Sequence, residues 1–155
     1  MEGETMRVKE IEAFLQENNA DFELLKQDKP ILSAADAAAY YPLEKAAPTF
    51  VLKTEDGLIG CITSVNSGKL DFEALKQEFG YTKLKMADKK KIERQTGYEV
   101  GAIPLIGLGL PCLFDNALLE YDYIYGGAGD ELVTLKIAPQ DVLRLNRIIG
   151  TFFPR

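Results

Sequence analysis

At 155 residues the chain has the length of one domain, enough to remove roughly 70% of its unfolded surface from water. Its apolar fraction of 46% and charged fraction of 27% are ordinary for a soluble globular protein, and no apolar run nears the roughly 18 residues of a membrane span. Histidine is absent, which excludes Ser-His and Cys-His nucleophile systems, while a net charge of −6 argues against nucleic-acid binding by the whole surface and leaves room for a local basic patch.

The N-terminal MEGETMRVKEIEAFL is charged and amphipathic, unlike a signal peptide. Met6 to Asn18 sets Val8, Ile11, Phe14 and Leu15 at helical spacing. Asp21 to Gln27 alternates as a short strand, with Phe22, Leu24 and Lys26 on one face. Ser33 caps a helix, AADAAAYY, that must stop before Pro42. Thr49 to Lys53 and Leu58 to Val65 are strands joined at Glu55-Asp56-Gly57, a hairpin signal. Asp71 caps a helix carrying Phe72, Leu75 and Phe79, closed by Gly80. Tyr81 to Met86 reads as a strand, and Asp88 and Gly97 bracket the helix KKKIERQT. Three further strands follow, over Leu110 to Asp115, Tyr121 to Tyr125 and Leu132 to Ile137. Pro139 and Asp141 open a final helix predicted through Ile149, with Val142, Leu145 and Ile149 buried. The expected fold is α/β (α+β): a single domain over 1–155 with six or seven strands in a mixed, mostly antiparallel sheet and peripheral helices.

Few of these residues carry chemistry. Cys61 and Cys112 lack metal-like spacing and a cationic neighbour, so they read as buried core thiols of a reducing compartment, the cytoplasm. Tyr121, Tyr123 and Tyr125 alternate and would share one strand face. The acids Asp36, Glu44, Glu120 and Asp122 read as caps and surface charge. Lys83, Lys85, Lys89, Lys90, Lys91 and Arg94 are the one basic concentration, either a phosphate-contacting face or a solvated helix compensated by Asp88 and Glu93. Tyr125-Gly126-Gly127-Ala128-Gly129-Asp130 lacks the following helix of a dinucleotide fingerprint and reads as a turn that lets a ligand near the sheet edge. In Gly101-Ala102-Ile103-Pro104, proline locks its own φ and restricts Ile103, while Gly101 can adopt dihedrals closed to other residues. Such a loop is either a packing turn or a pocket built from backbone.

Taken in order, SGKLDFEALKQEFGYTKLKMADKKKIERQTGYEVGAIPLIG, then Leu113-Phe114-Asp115 with Leu118-Leu119, then Ile124-Tyr125-Gly126-Gly127-Ala128-Gly129, resemble the YbaK/prolyl-tRNA-synthetase-associated domain family of aminoacyl-tRNA editing proteins. The resemblance covers about Val8 to Ile149. It implies a YbaK-like sheet or partial barrel and hydrolysis of the ester between a small mischarged amino acid and tRNA. No cofactor or metal is implied. The implied partners are aminoacyl-tRNA and a possible aminoacyl-tRNA synthetase, not DNA or a membrane. By resemblance, the Gly101 backbone orients the ester carbonyl or water, and Ala102, Ile103 and Pro104 wall the pocket. Gln27, Thr49, Gly127 and Thr134 fall at substrate-contact positions, and Lys89, Lys90, Lys91 and Arg94 are candidates for tRNA phosphates. The chain departs from the family pattern where a lysine usually begins the strand: Pro48 stands there, with Lys45 just upstream in a turn and Lys53 five residues on, facing the other way. The aspartate or histidine of the later strand is replaced near Thr134, a serine near Gly127 and a tyrosine near Gln27. A catalytically silent domain that binds aminoacyl-tRNA, a synthetase or a small ligand is the alternative these departures leave open.

Overall fold

The computed structural model describes residues 6–31 and 33–154; Met1 to Thr5, part of the stretch read as unlike a signal peptide, lie outside them. Helices and strands alternate as α1 (Val8–Glu17), β1 (Phe22–Lys26), α2 (Ala34–Ala38), β2 (Thr49–Thr54), β3 (Gly57–Ile62), α3 (Phe72–Phe79), β4 (Leu84–Met86), α4 (Lys89–Thr96), β5 (Cys112–Asp115), β6 (Ile124–Gly127), β7 (Val133–Ile137), α5 (Pro139–Leu145) and β8 (Ile148–Phe152). The strands form two sheets: β1-β7-β6, all antiparallel, and β4-β2-β3-β5-β8, antiparallel as far as β3 and parallel beyond it. Among the described residues neither sheet closes into a barrel, and the mixed α+β class expected from sequence holds.

The larger apolar cluster joins both sheets and α1, with Ile11, Leu15, Phe114, Leu118, Ile124, Leu135 and Ile137 fully buried. Each such side chain contributes about 1.5–3 kcal/mol through burial. On the other side of the five-stranded sheet, Leu75 of α3 joins Leu52, Ile59, Cys61, Leu113 and Phe152. Coverage on both faces explains why β3 reads as a nearly unbroken apolar run. Cys61 and Cys112 sit inside these clusters, where burial pushes their thiols up to about 12 and about 11.

The local signals land close to where the residues place them. The β2–β3 turn is tied by Thr54 Oγ1 donating to the Gly57 carbonyl at 2.8 Å and accepting from Asp56 N at 3.0 Å. Asp71 and Asp88 cap α3 and α4 by accepting from Ala74 N and Lys91 N. Two expectations fail. The last helix stops at Leu145, because the Asn146 side chain donates to the carbonyls of Val142 and Leu105, at 3.0 and 2.8 Å. The chain then turns into β8 along β5, leaving Ile149 exposed, and Gly150 lies against the Phe79 ring. Nor do the three tyrosines share a strand face: β6 begins at Ile124, and Tyr121 lies before it, its hydroxyl accepting from Asn66 Nδ2 at 2.8 Å. Tyr123 donates to Asp21 Oδ2 at 2.9 Å, and only Tyr125 lies in the strand.

One edge of β6 is paired with β7, and the other takes two short segments in place of a full strand. Ala47 N donates to the Tyr125 carbonyl at 2.8 Å, and Leu105 N to the Gly127 carbonyl at 3.0 Å. These two bridges carry the start of β2 and the Gly101–Pro104 turn to the same place.

Candidate functional site

A cleft of about 400 Å³ opens where those segments meet, within the size range of small-molecule sites. It is lined by the first residues of β2, the 3-10 turn Val100–Ala102, β6 and the chain between β6 and β7. Most of the lining is apolar: Ile31, Ala37, Leu43, Phe50, Val51 and Ile103. Tyr41 and Tyr125 stack in parallel along it, with ring centroids 4.8 Å apart and planes 3° from parallel. Burial raises the pKa of the Tyr41 hydroxyl, so it stays neutral across the working range.

Of the residues singled out from sequence, Gln27, Thr49, Gly101, Ala102, Ile103, Gly127 and Thr134 all line this cleft. Pro104 is buried behind the wall, bridged to Gly127. Lys89, Lys90, Lys91 and Arg94 do not line it, although Ile92 of the same helix does. Pro48, which the resemblance sets at the position of a lysine, lines the cleft. Lys45 does not fill the vacancy: its Nζ pairs with Asp122 Oδ1 at 3.0 Å, outside the lining. Two acids, Asp130 and Glu131, are the only charged residues among the described lining, so the charge there favours a cationic over an anionic guest.

Gly127 and Gly101 are glycines for different reasons. A Cβ on Gly127 would strike the Ile103 carbonyl, so this close approach of β6 to the turn requires glycine. A Cβ on Gly101 would meet nothing within 4 Å, and Gly101 has no positive φ. The freedom of Gly101 to adopt dihedrals closed to other residues is therefore not used as a positive φ here. What glycine supplies there is open space beside its main chain.

The polar inventory of the wall separates satisfied from unsatisfied groups. Thr134 Oγ1 donates to Gln27 Oε1 at 3.0 Å, and Gln27 Nε2 donates to the Glu131 carbonyl at 3.2 Å, so this pair is held by itself. Val100 N donates to Glu93 Oε2 and Ala102 N to the Glu99 carbonyl. Between and after them, the amides of Gly101 and Ile103 have no acceptor among the described residues. Thr49 Oγ1 is buried and likewise has no partner among the described residues. A buried polar atom without a partner costs about 1–3 kcal/mol unless something supplies one. Sequence reasoning missed Tyr41, Asp130 and Glu131, whose convergence depends on non-local pairing of β6 with Ala46 and β7. Neither thiol lines the cleft, and among the described residues no group of His, Cys, Asp and Glu could hold a metal ion.

The aminoacyl-tRNA editing domain family matches residues 28–145, well over half of the chain. Among solved structures, the hypothetical protein APE2540 superposes with a TM-score of 0.81 at 22% identity, over 91% of this chain and 96% of its own. A protein proposed as a trans-editing enzyme for prolyl-tRNA synthetase superposes with a TM-score of 0.78 at 19% identity, over 92% and 93%. A scaffold used for computational grafting of epitope backbones gives 0.79 at 18% identity, over 96% of both chains. These structures share the fold. The chain belongs to the aminoacyl-tRNA editing domain family.

Proposed function

We propose that this protein is a trans-editing aminoacyl-tRNA deacylase, hydrolysing the ester of a small mischarged amino acid. The observation that carries this reading is that the amides of Gly101 and Ile103, two residues lining the cleft, have no acceptor among the described residues. Water adds to the ester carbonyl carbon, and the carbonyl oxygen becomes an oxyanion. The bond to the ribose oxygen then breaks, one proton of the water passes to that oxygen and the other to solvent, and the amino acid leaves as a carboxylate. Fixed N–H donors act where the negative charge develops, and one such donor is worth about 10²–10³ in rate. No side-chain nucleophile is needed, which suits a chain without histidine whose thiols stay protonated.

The remaining lining has a place in this scheme. Thr49 Oγ1 offers a hydrogen bond to a ribose hydroxyl or the ester. Asp130 and Glu131 attract the α-ammonium of the amino acid. Ala102, Ile103 and Pro104 set the size of the side-chain pocket, while Gln27, Thr134 and Gly127 hold the opposite wall. A cytoplasmic location and a partner synthetase that delivers or retains the tRNA fit this role.

A second reading is a silent domain that binds aminoacyl-tRNA without cleaving it. The absence of any cation from the described cleft lining favours it, because a charge-assisted contact is worth about 1.5–3 kcal/mol. Incubation with a panel of mischarged tRNAs, including Ala-tRNAPro and Cys-tRNAPro, separates the two. Release of amino acid faster than in a protein-free sample supports the deacylase. Binding without acceleration anywhere on the panel supports the silent domain.

A further inference from the structure

The basic residues of this acidic chain are not gathered where their run in sequence suggests. By helical period, Lys90 and Arg94 of α4 point opposite to the buried Ile92, while Lys91 lies on one flank. That flank meets lysines from two other segments. Lys53 of β2 stands directly across from Lys85 of β4 in the antiparallel register. Lys83 immediately precedes β4, two residues before Lys85. Like charges placed directly opposite across strands are destabilising. The Lys53 ammonium is accordingly held below its ordinary pKa by Lys91 first, then by Lys83 and Lys85.

None of the four lysines makes an ion pair among the described residues, where the recorded pairs are Lys45–Asp122, Lys76–Glu73 and Arg144–Asp141. Glu55 of the hairpin turn is engaged elsewhere, its two oxygens accepting from the backbone N–H groups of Thr82 and Lys83. Asp88 is taken up in capping α4, and Glu93 accepts from Val100 N. Protection of an exposed sheet edge accounts for lysines on β4, the edge strand. It does not account for Lys53 on β2, which has a neighbour on each side, or for Lys91 arriving from a helix.

The position of the group matters as much as its charge. Thr49, Phe50 and Val51 of β2, Met86 of β4 and Ile92 of α4 line the cleft. Lys85 and Lys91 adjoin Met86 and Ile92 in sequence, and Lys53 lies two residues beyond Val51 along β2. From Thr49 to Lys53 is about 13 Å along an extended strand.

We propose that Lys53, Lys83, Lys85 and Lys91 form a phosphate-binding strip that carries the RNA backbone away from the cleft mouth. The strip rests on the aminoacyl-tRNA reading of the cleft and specifies how that substrate is gripped. It retains Lys91 of the predicted tRNA-contact helix and moves the main contact from Lys89, Lys90 and Arg94 to the β2–β4 pair.

The test is binding of uncharged tRNA to the full chain between 50 and 200 mM salt. Three proteins are compared: the natural chain, Lys53→Gln/Lys85→Gln/Lys91→Gln, and a control of equal charge, Lys9→Gln/Lys26→Gln/Lys69→Gln. Loss of three phosphate contacts to a single strand lowers the slope of log K against log salt by about 2. The strip variant is expected to show that drop with an unchanged fold, and the control to keep the natural slope. Equal slopes in both variants overturn the proposal, as does aggregation of the strip variant with tRNA affinity intact, which would mark edge protection. Capture on phosphatidylserine vesicles without tRNA binding overturns it in favour of an anionic lipid surface. Deacylation is read separately: a chain that binds tRNA through the strip but cleaves no mischarged tRNA keeps this proposal and loses the deacylase. A chain that cleaves with unchanged KM in the strip variant does the reverse.

Discussion

The two glycine-bearing walls of the cleft show how the same residue serves packing on one side and access on the other. On β6, Gly127 lies so close to the Ile103 carbonyl that any side chain would displace the turn. Across the cleft, Gly101 has ordinary backbone dihedrals and free space beside it. The β6 wall is therefore a structural constraint that builds the cleft, and the Gly101 wall is the part left free for a guest. A motif match treats both glycines alike, whereas the contacts around a missing Cβ separate them.

Gly127→Ala is expected to have the largest effect on stability. Its Cβ forces the turn away and loosens the bond from Leu105 N to the Gly127 carbonyl. An overpacking cost of about 3 kcal/mol lowers Tm by roughly 6–12 °C in a chain of this length. A natural Tm in this variant would break the comparison.

Thr49→Val acts on the guest side. Removing a buried hydroxyl that has no protein partner is expected to leave stability unchanged or raise it by up to about 1 kcal/mol. The same change should weaken substrate binding by up to about tenfold, since the lost hydrogen bond is worth about 0.5–1.5 kcal/mol. A destabilised variant in chemical denaturation would show that the hydroxyl is satisfied within the protein.

Gly101→Ala should shift stability in the opposite direction to Gly127→Ala. With compatible dihedrals and no neighbour within 4 Å, the substitution is expected to stabilise by about 0.4–1 kcal/mol through the unfolded chain. Denaturant midpoints of the two alanine variants, measured side by side, sharpen the contrast to a difference of sign.

The smallest effect is expected away from the cleft. Burial raises both thiol pKa values, to about 12 for Cys61 and about 11 for Cys112, so each stays a neutral thiol throughout the neutral range. Iodoacetamide at pH 8 should leave the folded protein unmodified and deacylation unchanged, and should label both cysteines once urea unfolds the chain. Rapid labelling of the native chain would place a reactive thiol where the structure has a core residue.

What was legible in the sequence was what local chemistry decides. The caps of α3 and α4, the β2–β3 hairpin and the apolar faces of α1 and α3 each depend on residues a few positions apart. The end of the chain was not legible: Asn146 stops α5 with help from Leu105, forty-one residues earlier, and β8 exists only because β5 offers it an edge. The same limit applies to the site. The turn from Gly101 to Pro104 stood out through its glycine and proline, but Tyr41, Asp130 and Glu131 reach the cleft only through pairing of distant segments. Lys83, Lys85 and Lys91 stood out as part of a basic run, whereas the place of Lys53 beside them was hidden, since the register of β2 with β4 brings it opposite Lys85 across thirty-two residues of chain.

The most direct test of the central claim, that the ester reacts in the space beside Gly101, is a paired measurement on Gly101→Leu. Thermal unfolding and single-turnover deacylation of a mischarged tRNA that the natural protein hydrolyses are recorded on the same preparation. A surface change that meets no neighbour should move Tm by only about 1–2 °C, while a side chain filling the space should cut hydrolysis at least about 100-fold. A folded Gly101→Leu variant that hydrolyses at the natural rate would place the reaction elsewhere and contradict the account.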